Sequence, residues 1–331
     1  MVTGKQDLRM GRDTQYDVYK KNKSSSLKKI RHFFEFVAIL SFQKFAGLWS
    51  FKQLHKLGAL FGRLALKLAD KDRGIAEYQL DFCFPELSKD QRKELLKRTF
   101  EDIGKTFFEA LITQEIRKNP ASYIRLINPE IVKKALEEGN GAVMLFGHVG
   151  NWELLPAIYE MLGITGIAVE SPVGDNKLDD ILLATRASDN IKMVPRGDRS
   201  SARSILKCFR NNEVFLFAMD QDTRVKSVYV DFFGKKASTA IGAAVFAQKF
   251  NTPVISAFGA RQEDGMHQYT FELLSKAPYQ GGKKEVFQLT QNYTSQLEKH
   301  IRLYPSQWVW FHRRWKNQPD DEENKDGLPE V

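Results

Sequence analysis

The stretch that decides the fold is AVMLFGHVGNWELL, residues 142–155. Five apolar residues end at Phe146, a turn with two glycines carries His148, and a largely apolar run begins at Trp152. A short continuous apolar run is typical of a strand buried on both faces, and glycine lets the backbone turn tightly. The stretch therefore predicts a strand, a turn and a helix, with a titratable side chain at the carboxyl end of the strand.

The chain beyond residue 141 repeats this alternation. Its β-rich apolar runs are AVMLF, GIAVE, IKMV, EVFLFAM, SVYVDFF, PVISAF and YTFELL, with helical segments between them. The alternation predicts an α/β fold with a central, mostly parallel sheet flanked by helices. Upstream, KDQRKELLKRTFEDIGKTFFEALI has an apolar stripe of helical period, and Ser88 before it is a suitable N-cap.

The net charge of +9 lies entirely in the N-terminal part of the chain. Residues 1–72 carry fifteen Lys and Arg against six Asp and Glu, whereas the rest carries 35 of each. This balance beyond residue 72 argues against nucleic acid as a partner, since a nucleic-acid surface needs clustered basic residues on the folded domain. The basic excess adjoins apolar stretches instead, which is the pattern of helices that lie on anionic lipid.

Two apolar stretches form this N-terminal attachment. Residues 33–49, FFEFVAILSFQKFAGLW, are interrupted by charge and fall short of the roughly 20 residues that cross a bilayer. Residues 54–69, LHKLGALFGRLALKLA, are amphipathic. We expect membrane-associating amphipathic helices over 30–70, and an ordinary pair of core-facing helices is the alternative.

The remaining boundaries follow from composition. A polar, lysine-rich leader predicts a mobile basic tail over 1–29, the main domain spans 71–316, and a frayed acidic tail occupies 317–331.

The two cysteines, Cys83 and Cys208, form no CxxC motif, and no signal peptide is evident. The chemistry is therefore expected to face a reducing cytosol.

His148 and Glu153 form the candidate catalytic pair. Ligands of open α/β sheets bind at the carboxyl ends of the strands, where this turn lies. An imidazole folded back onto the carboxylate has its tautomer fixed, and its other ring nitrogen is left to take a proton from a substrate hydroxyl. On these residues alone, a structural histidine and a metal site remain alternatives.

Other reaction classes lack their motifs. The sequence has no G-x-S-x-G elbow, no G-x-x-x-x-G-K-[ST] phosphate loop and no H-E-x-x-H zinc motif. A dinucleotide fingerprint drawn through Gly147, Gly150 and Glu170 lacks its G-x-G core. The residues therefore favour proton transfer by His148.

GHVGNWELL resembles the HxxxxD/E motif of the lysophospholipid acyltransferase superfamily. Two further stretches make the resemblance more specific: AEYQLDFCFPELS, residues 76–88, and YPSQWVWFHRRWK, residues 304–316. Together they are similar to the lipid A biosynthesis late acyltransferases, the lauroyl and myristoyl transferases, over about residues 70–316. Gln79 and Ser306 depart from this pattern, in which asparagine and glutamate are usual.

The resemblance implies that residues 71–316 are an acyltransferase domain with His148 as general base and Glu153 as its partner. It implies an acyl donor carried as a thioester on acyl carrier protein and an acceptor hydroxyl on a glucosamine-based lipid. The expected location is the inner membrane surface, with the site facing the cytoplasm. No metal or redox cofactor is expected.

The resemblance also implies a set of substrate-binding residues. Arg196 matches the family's arginine and is expected to grip the donor or an acceptor phosphate, since a guanidinium suits phosphate geometry. Asp220 and Asp222 match its D-x-D element, and Asn151 lies in the histidine turn. A glycerolipid or mannosylated phosphoinositide acceptor, or a catalytically silent membrane-binding relative, is the alternative function.

Overall fold

A computed structural model describes residues 49–170, 186, 188–195, 199–222 and 225–319. The basic tail predicted over 1–29, the first apolar stretch up to residue 48, Arg196 and residues 320–331 lie outside these ranges. The helices are α1 (Phe51–Leu68), α2 (Asp70–Cys83), α3 (Lys89–Leu111), α4 (Thr113–Lys118), α5 (Glu130–Leu136), α6 (Leu155–Leu162), α7 (Arg199–Arg210), α8 (Gly242–Phe250) and α9 (Lys283–Leu303). The strands are β1 (Ile124–Ile127), β2 (Ala142–Phe146), β3 (Gly166–Glu170), β4 (Ile191–Pro195), β5 (Val214–Ala218), β6 (Ser227–Phe232), β7 (Lys235–Ala240), β8 (Val254–Arg261) and β9 (His267–Ser275).

Seven of the described strands form one sheet in the order β1-β9-β8-β2-β5-β3-β4. All neighbouring pairs are parallel except β8 and β9, which are antiparallel. Every residue of β8 is buried, as expected for strands covered on both faces. The predicted α/β class with a mostly parallel, helix-flanked sheet is confirmed.

One predicted strand belongs elsewhere. The run SVYVDFF forms β6, which pairs with β7 in a separate antiparallel hairpin. Its residues alternate between buried and more exposed, because one face of the hairpin packs on the core and the other faces outward. The strands β1 and β7 were not predicted, since the first is four residues long and the second is the polar run KKASTA.

The long helix α3 confirms the capping prediction. The Ser88 hydroxyl accepts from the Gln91 amide, and the Gln91 side chain accepts from the Ser88 amide, so both reciprocal bonds of a capping box are present. The helix carries Glu109 in its last turn, fully buried. This end of α3 reaches the turn that follows β2.

The helix α1 packs backbone to backbone against α3. A Cβ at Gly62 would lie 2.0 Å from the Phe100 carbonyl oxygen, and one at Gly58 would lie 2.6 Å from Lys105 Cα. Only glycine permits such an approach. The described part of the predicted attachment is therefore joined tightly to the main fold.

The opposite face of α1 is apolar and exposed. Leu60 and Leu64 are about half exposed, and Leu68 is 82% exposed. The three residues recur at a spacing of four and so form one stripe along the helix. Within the described ranges, no helix has both the length and the apolar character needed to cross a membrane.

Candidate active site

The sheet brings His148 and Asp220 together. The strands β2 and β5 are parallel neighbours in which Phe146 is paired with Ala218, and each of the two side chains follows its strand by two residues. His148 Nδ1 lies 2.7 Å from Asp220 Oδ1, and the His148 backbone N–H donates to Oδ2 at 2.6 Å. The structure thus joins two predicted site residues in one hydrogen-bonded dyad.

Asp220 is buried and ionised. The indole N–H of Trp308 also donates to its Oδ2, at 2.8 Å. Burial by itself raises the pKa of Asp220, but the charge and the hydrogen bonds of His148 outweigh it and lower the pKa to about 2. Sequence reasoning gave Trp308 no role, although its closing motif YPSQWVWFHRRWK was a usable signal.

The surroundings of His148 determine the protonation of its imidazole. Burial favours the neutral ring, but the neighbouring charge of Asp220 outweighs this and raises the pKa of His148. Because Nδ1 faces a carboxylate, it carries the proton, and Nε2 keeps its lone pair. Nε2 lies 3.4 Å from the side-chain nitrogen of Gln221, and the His148 side chain is 18% exposed.

The predicted contact between His148 and Glu153 is not formed. Arg186 donates to both oxygens of Glu153, from Nε at 2.7 Å and Nη2 at 2.6 Å, and Trp152 Nε1 donates at 3.0 Å. Asp220 reaches Nδ1 from the neighbouring strand, so the orienting acid of the imidazole is Asp220. The charge of Glu153 still helps to raise the pKa of His148, after that of Asp220.

Arg186 was missed because no motif marks it and its partner lies 33 residues away along the chain. The Trp152 ring packs edge-on to the His148 ring, with 4.9 Å between their centroids. The carboxyl edge of the sheet therefore carries the His148–Asp220 dyad, the Glu153–Arg186 ion pair and the Trp152 ring that packs against the imidazole.

The substrate-binding role predicted for Asn151 does not fit its surroundings. Asn151 is completely buried. Its Nδ2 donates to Glu109 at 2.9 Å, and its Oδ1 accepts from the Glu153 backbone at 3.1 Å. A side chain whose amide is used on both sides inside the protein holds the turn rather than a ligand.

Asp222 also acts inside the protein. Its carboxylate accepts from the backbone and side-chain nitrogens of Asn317 at 2.9 and 2.8 Å, and its own N–H donates to His312 Nε2 at 3.2 Å. These bonds anchor the C-terminal segment, and the role of Asp222 in substrate binding stays a prediction. Asn317 itself belongs to the tail predicted to fray, so that tail is tied down at its first residue.

Neither cysteine is suited to form a covalent acyl intermediate. Both are buried, and burial raises the pKa of Cys208 to about 12 and that of Cys83 further. A thiol needs a lowered pKa to act as a nucleophile near neutral pH. The geometry around His148 instead suits proton removal from a bound hydroxyl.

The sequence of this chain matches a family model over most of its length. The model described as bacterial lipid A biosynthesis acyltransferase matches residues 20–317, which include the whole site.

Individual relatives are similar over most of the chain. A lipid A biosynthesis lauroyltransferase of Escherichia coli (strain K12) is 26% identical over 272 residues, 81% of this chain and 86% of the relative. A lipid A biosynthesis palmitoleoyltransferase of the same organism is 23% identical over 271 residues, 80% and 85% of the two chains. A phosphatidylinositol mannoside acyltransferase of Mycobacterium tuberculosis (strain CDC 1551 / Oshkosh) is 23% identical over 226 residues, 67% and 70% of the two chains.

Proposed function

Because the chain belongs to the bacterial lipid A biosynthesis acyltransferase family and is an acyltransferase, we propose that it moves a fatty acyl group from acyl carrier protein to a glucosamine-based lipid. The donor is a thioester, and the acceptor is a hydroxyl of a lipid A precursor. The observation that carries this proposal is the dyad in which Asp220 holds the imidazole of His148 by Nδ1.

The proposed reaction needs no covalent enzyme intermediate. His148 Nε2 removes the acceptor proton while the acceptor oxygen attacks the thioester carbonyl carbon. The tetrahedral intermediate then expels the carrier thiolate as the new ester carbonyl forms, and the imidazolium returns the proton to that sulfur. General-base assistance of this kind contributes roughly 10²–10⁴ in rate.

The two acids support different parts of this reaction. Asp220 fixes the tautomer of His148 and stabilises the imidazolium as it forms. Glu153 holds Arg186, whose positive charge acts on His148, so a guanidinium is fixed beside the reacting atoms. We propose that this charge stabilises the oxyanion of the tetrahedral intermediate. Arg196 keeps its proposed role in gripping a phosphate of the donor or acceptor.

We further propose that α1 lies on the cytoplasmic surface of the inner membrane, where the lipid acceptor is met. Its exposed leucine stripe has the companion Phe61, also about half exposed. The exposed Lys56 and Lys67 of the same helix are suited to anionic headgroups, whereas Arg63 between them is paired with Glu101 of α3. One face of α1 then packs on α3 while the other meets lipid.

Vesicle binding tests this placement. Leu64→Glu is expected to weaken sedimentation of the protein with vesicles that contain phosphatidylglycerol, because it puts a negative charge into the stripe. Leu303→Glu is the matched control, since Leu303 is 73% exposed at the end of another helix. Equal loss in both variants would show that α1 has no special part in membrane binding.

Acyl transfer measured directly tests the proposed reaction. Purified protein is given acyl carrier protein thioesters of several chain lengths and a tetraacylated, sugar-extended lipid A precursor, and is compared with His148→Ala. Product from the wild type and its loss in a folded His148→Ala protein are expected. Lysophospholipid and mannosylated phosphoinositide acceptors are tested in parallel.

Each outcome of this assay has a separate meaning. Transfer only to a mannosylated phosphoinositide would move the function towards that of the mycobacterial relatives. Transfer to no acceptor, with intact vesicle binding, would support a catalytically silent membrane-binding protein. Full activity in His148→Ala would overturn the proposed base.

A further inference from the structure

A buried cluster of charged and polar side chains adjoins the turn of His148, and Glu109 of α3 is its centre. The carboxylate of Glu109 is fully buried. Arg261, the last residue of β8, donates to it from Nε at 2.9 Å and from Nη2 at 2.8 Å. His55 Nε2 of α1 lies 2.5 Å from Oε1, and His267 Nε2 of β9 lies 3.0 Å from Oε2. The carboxylate thus has close partners from three elements, β8, α1 and β9.

The cluster is balanced in charge. Burial by itself raises the pKa of Glu109, but the other interactions, led by the charge of Arg261, outweigh it and hold the pKa well below its usual range. Burial lowers the pKa of His267 and outweighs the charge of Glu109, so the neutral ring is the form favoured near pH 7. Burial also opposes the charge of Arg261, but Glu109 more than offsets this and raises the pKa of Arg261. A buried ion pair of this kind is stable only because hydrogen bonds and the opposite charge offset the cost of removing both groups from water.

The turn 147–151 contacts this cluster at two points. Asn151 Nδ2 donates to Glu109 Oε2 at 2.9 Å. The Gly150 carbonyl accepts from Thr106 Oγ1 at 3.2 Å, and Thr106 Oγ1 accepts from Arg261 Nη2 at 3.0 Å. The Glu109–Arg261 pair therefore holds both residues that end the turn.

The approach of the turn to this cluster is close enough to require glycine. At Gly150 φ is +67°, and a Cβ there would lie 2.9 Å from the Gly259 carbonyl oxygen in β8. The Gly150 N–H donates to the Gln307 carbonyl at 3.0 Å. The backbone two residues beyond His148 is therefore in close contact with the backbone of β8, the strand that ends at Arg261.

Asn151 connects the cluster to the site. Its Nδ2 is bonded to Glu109, while its Oδ1 accepts from the Glu153 backbone at 3.1 Å. Asp220 holds the other end of the same turn through the His148 backbone and ring. Both ends of the turn that carries the imidazole are therefore bonded to the rest of the fold.

We infer that Glu109, balanced by Arg261, is a positioning residue that fixes the turn 147–151 so that His148 keeps its bond to Asp220 and presents Nε2 to the acceptor. This inference rests on the proposed function, in which His148 is the base. Glu109 itself touches neither the imidazole nor the reacting atoms, so its effect on the reaction passes through the Asn151 side chain.

Two variants test the inference at different points. Glu109→Gln removes the charge at the centre of the cluster and turns one acceptor oxygen into an amide donor. Asn151→Ser leaves the Glu109–Arg261 pair intact but shortens the side chain that links it to the turn. Glu160→Gln is the matched control, because Glu160 also pairs with an arginine, Arg117, and makes no hydrogen bond to the turn within the described part of the chain. Thermal unfolding establishes which variants are folded before kinetics are compared.

The expected result separates positioning from stability. For Asn151→Ser and folded Glu109→Gln, we expect kcat to fall about 10–100-fold, as when a residue that supports a catalytic group is lost, with KM for the acyl donor little changed. The pKa of His148, followed by NMR of the full-length protein with ¹³C-labelled histidine, should fall because the ring loses part of its contact with Asp220. Glu160→Gln should lower the unfolding temperature without changing kcat or the His148 titration.

Several outcomes overturn the inference. Wild-type kcat and an unchanged His148 titration in Asn151→Ser would show that the cluster has only a structural role, and this holds even if Glu109→Gln does not fold. An equal loss of kcat in Glu160→Gln would assign the effect to general destabilisation. If the wild type transfers no acyl group, the proposed function fails, and the NMR titration alone then decides whether Glu109 and Asn151 position the imidazole.

Discussion

Two carboxylates lie near His148, and they differ in how they get there. Glu153 is five positions away in the chain but is bonded to Arg186, whereas Asp220 is 72 positions away and is bonded to the imidazole. The neighbour across the sheet is the closer partner because β2 and β5 run in parallel and end at the same level. Proximity along the chain is thus a poor guide to which acid orients the base.

The two acids also differ in what compensates their charge. Asp220 has no guanidinium partner among the described residues, and its oxygens are satisfied by His148 and Trp308. Glu153 is neutralised by Arg186 in a two-pronged ion pair. Asp220 can therefore respond to the charge that develops on the imidazole, while Glu153 mainly holds a cation in place.

The largest effect is expected from Asp220→Asn. An amide in this position has lost the charge that stabilises the imidazolium, and its NH₂ group can face Nδ1 and favour the wrong tautomer. We expect kcat for acyl transfer to fall about 10²–10⁴-fold. Asp222→Asn is the control, since Asp222 contacts Asn317 and not the imidazole, and near-equal losses in the two variants would contradict the assignment.

A smaller effect is expected from Glu153→Gln. This change leaves Arg186 less well compensated beside His148, where its charge opposes the imidazolium. We expect kcat to fall about 10–100-fold, and the pKa of His148 to fall as well. A loss larger than that of Asp220→Asn would restore Glu153 as the main partner of the base.

The double variant Glu153→Gln/Arg186→Gln sharpens this comparison. If Glu153 acts only by compensating Arg186, the two losses are not additive, and the double variant is no slower than the Arg186→Gln single variant. Additive losses in kcat would show that each residue acts on the reaction independently. The measurement is a double-mutant cycle in kcat at saturating acyl donor.

The fold was largely predictable because its signals are local. The apolar runs that became β2, β3, β4, β5, β8 and β9, and the Ser88 cap of α3, each lie within a short window of sequence. The hairpin strand β7 was missed because its polar run KKASTA has no strand signal of its own. Local sequence patterns therefore predicted which segments form helices and strands better than they predicted which of these elements are adjacent in the fold.

The site was predictable only in part, because its bonds join distant residues. His148 was expected at a strand end and Asp220 in a D-x-D element, but their contact depends on β5 being next to β2, which no local pattern states. Arg186 and Trp308 contact the site from distant parts of the chain, and Glu109 contacts only the end of the histidine turn; no local pattern names the partners of these three residues. Asn151 does lie in the predicted turn. It was predicted to bind substrate because its complete burial is a property of the folded chain and cannot be read from the sequence.

The pH dependence of kcat/KM gives a further test of the dyad. A base must be unprotonated, so activity rises with pH through the pKa of His148, which Asp220 raises above the usual 6.5. The acidic limb of the wild type should therefore lie above pH 6.5. In Asp220→Asn, the residual activity should show this limb at lower pH, because the charge that raised the pKa is gone. A limb that stays in place would mean that another group titrates.

The smallest effect is expected from Trp308→Phe, which removes one of the donors to Asp220 and leaves His148 in place. The indole N–H lies 2.8 Å from Asp220 Oδ2 and lowers the pKa of that carboxyl together with His148. A hydrogen bond to a charged group contributes about 1.5–3 kcal/mol to stability. Because the two bonds from His148 to Asp220 remain, only a small part of this energy should act on the reaction, and we expect a several-fold fall in kcat. The ring is buried, so stability also falls.

Trp310→Phe separates these two consequences. Trp310 is equally buried, but its indole N–H donates to the Pro305 carbonyl at 2.6 Å and not to Asp220. Both variants lose an indole N–H and part of a ring, so both should lower the unfolding temperature. Only Trp308→Phe should change kcat and the acidic limb of kcat/KM. If kcat falls equally in the two variants, the loss is due to altered packing and not to the lost hydrogen bond between Trp308 and Asp220. The difference between Asp220 and Glu153 would then depend only on their partners His148 and Arg186.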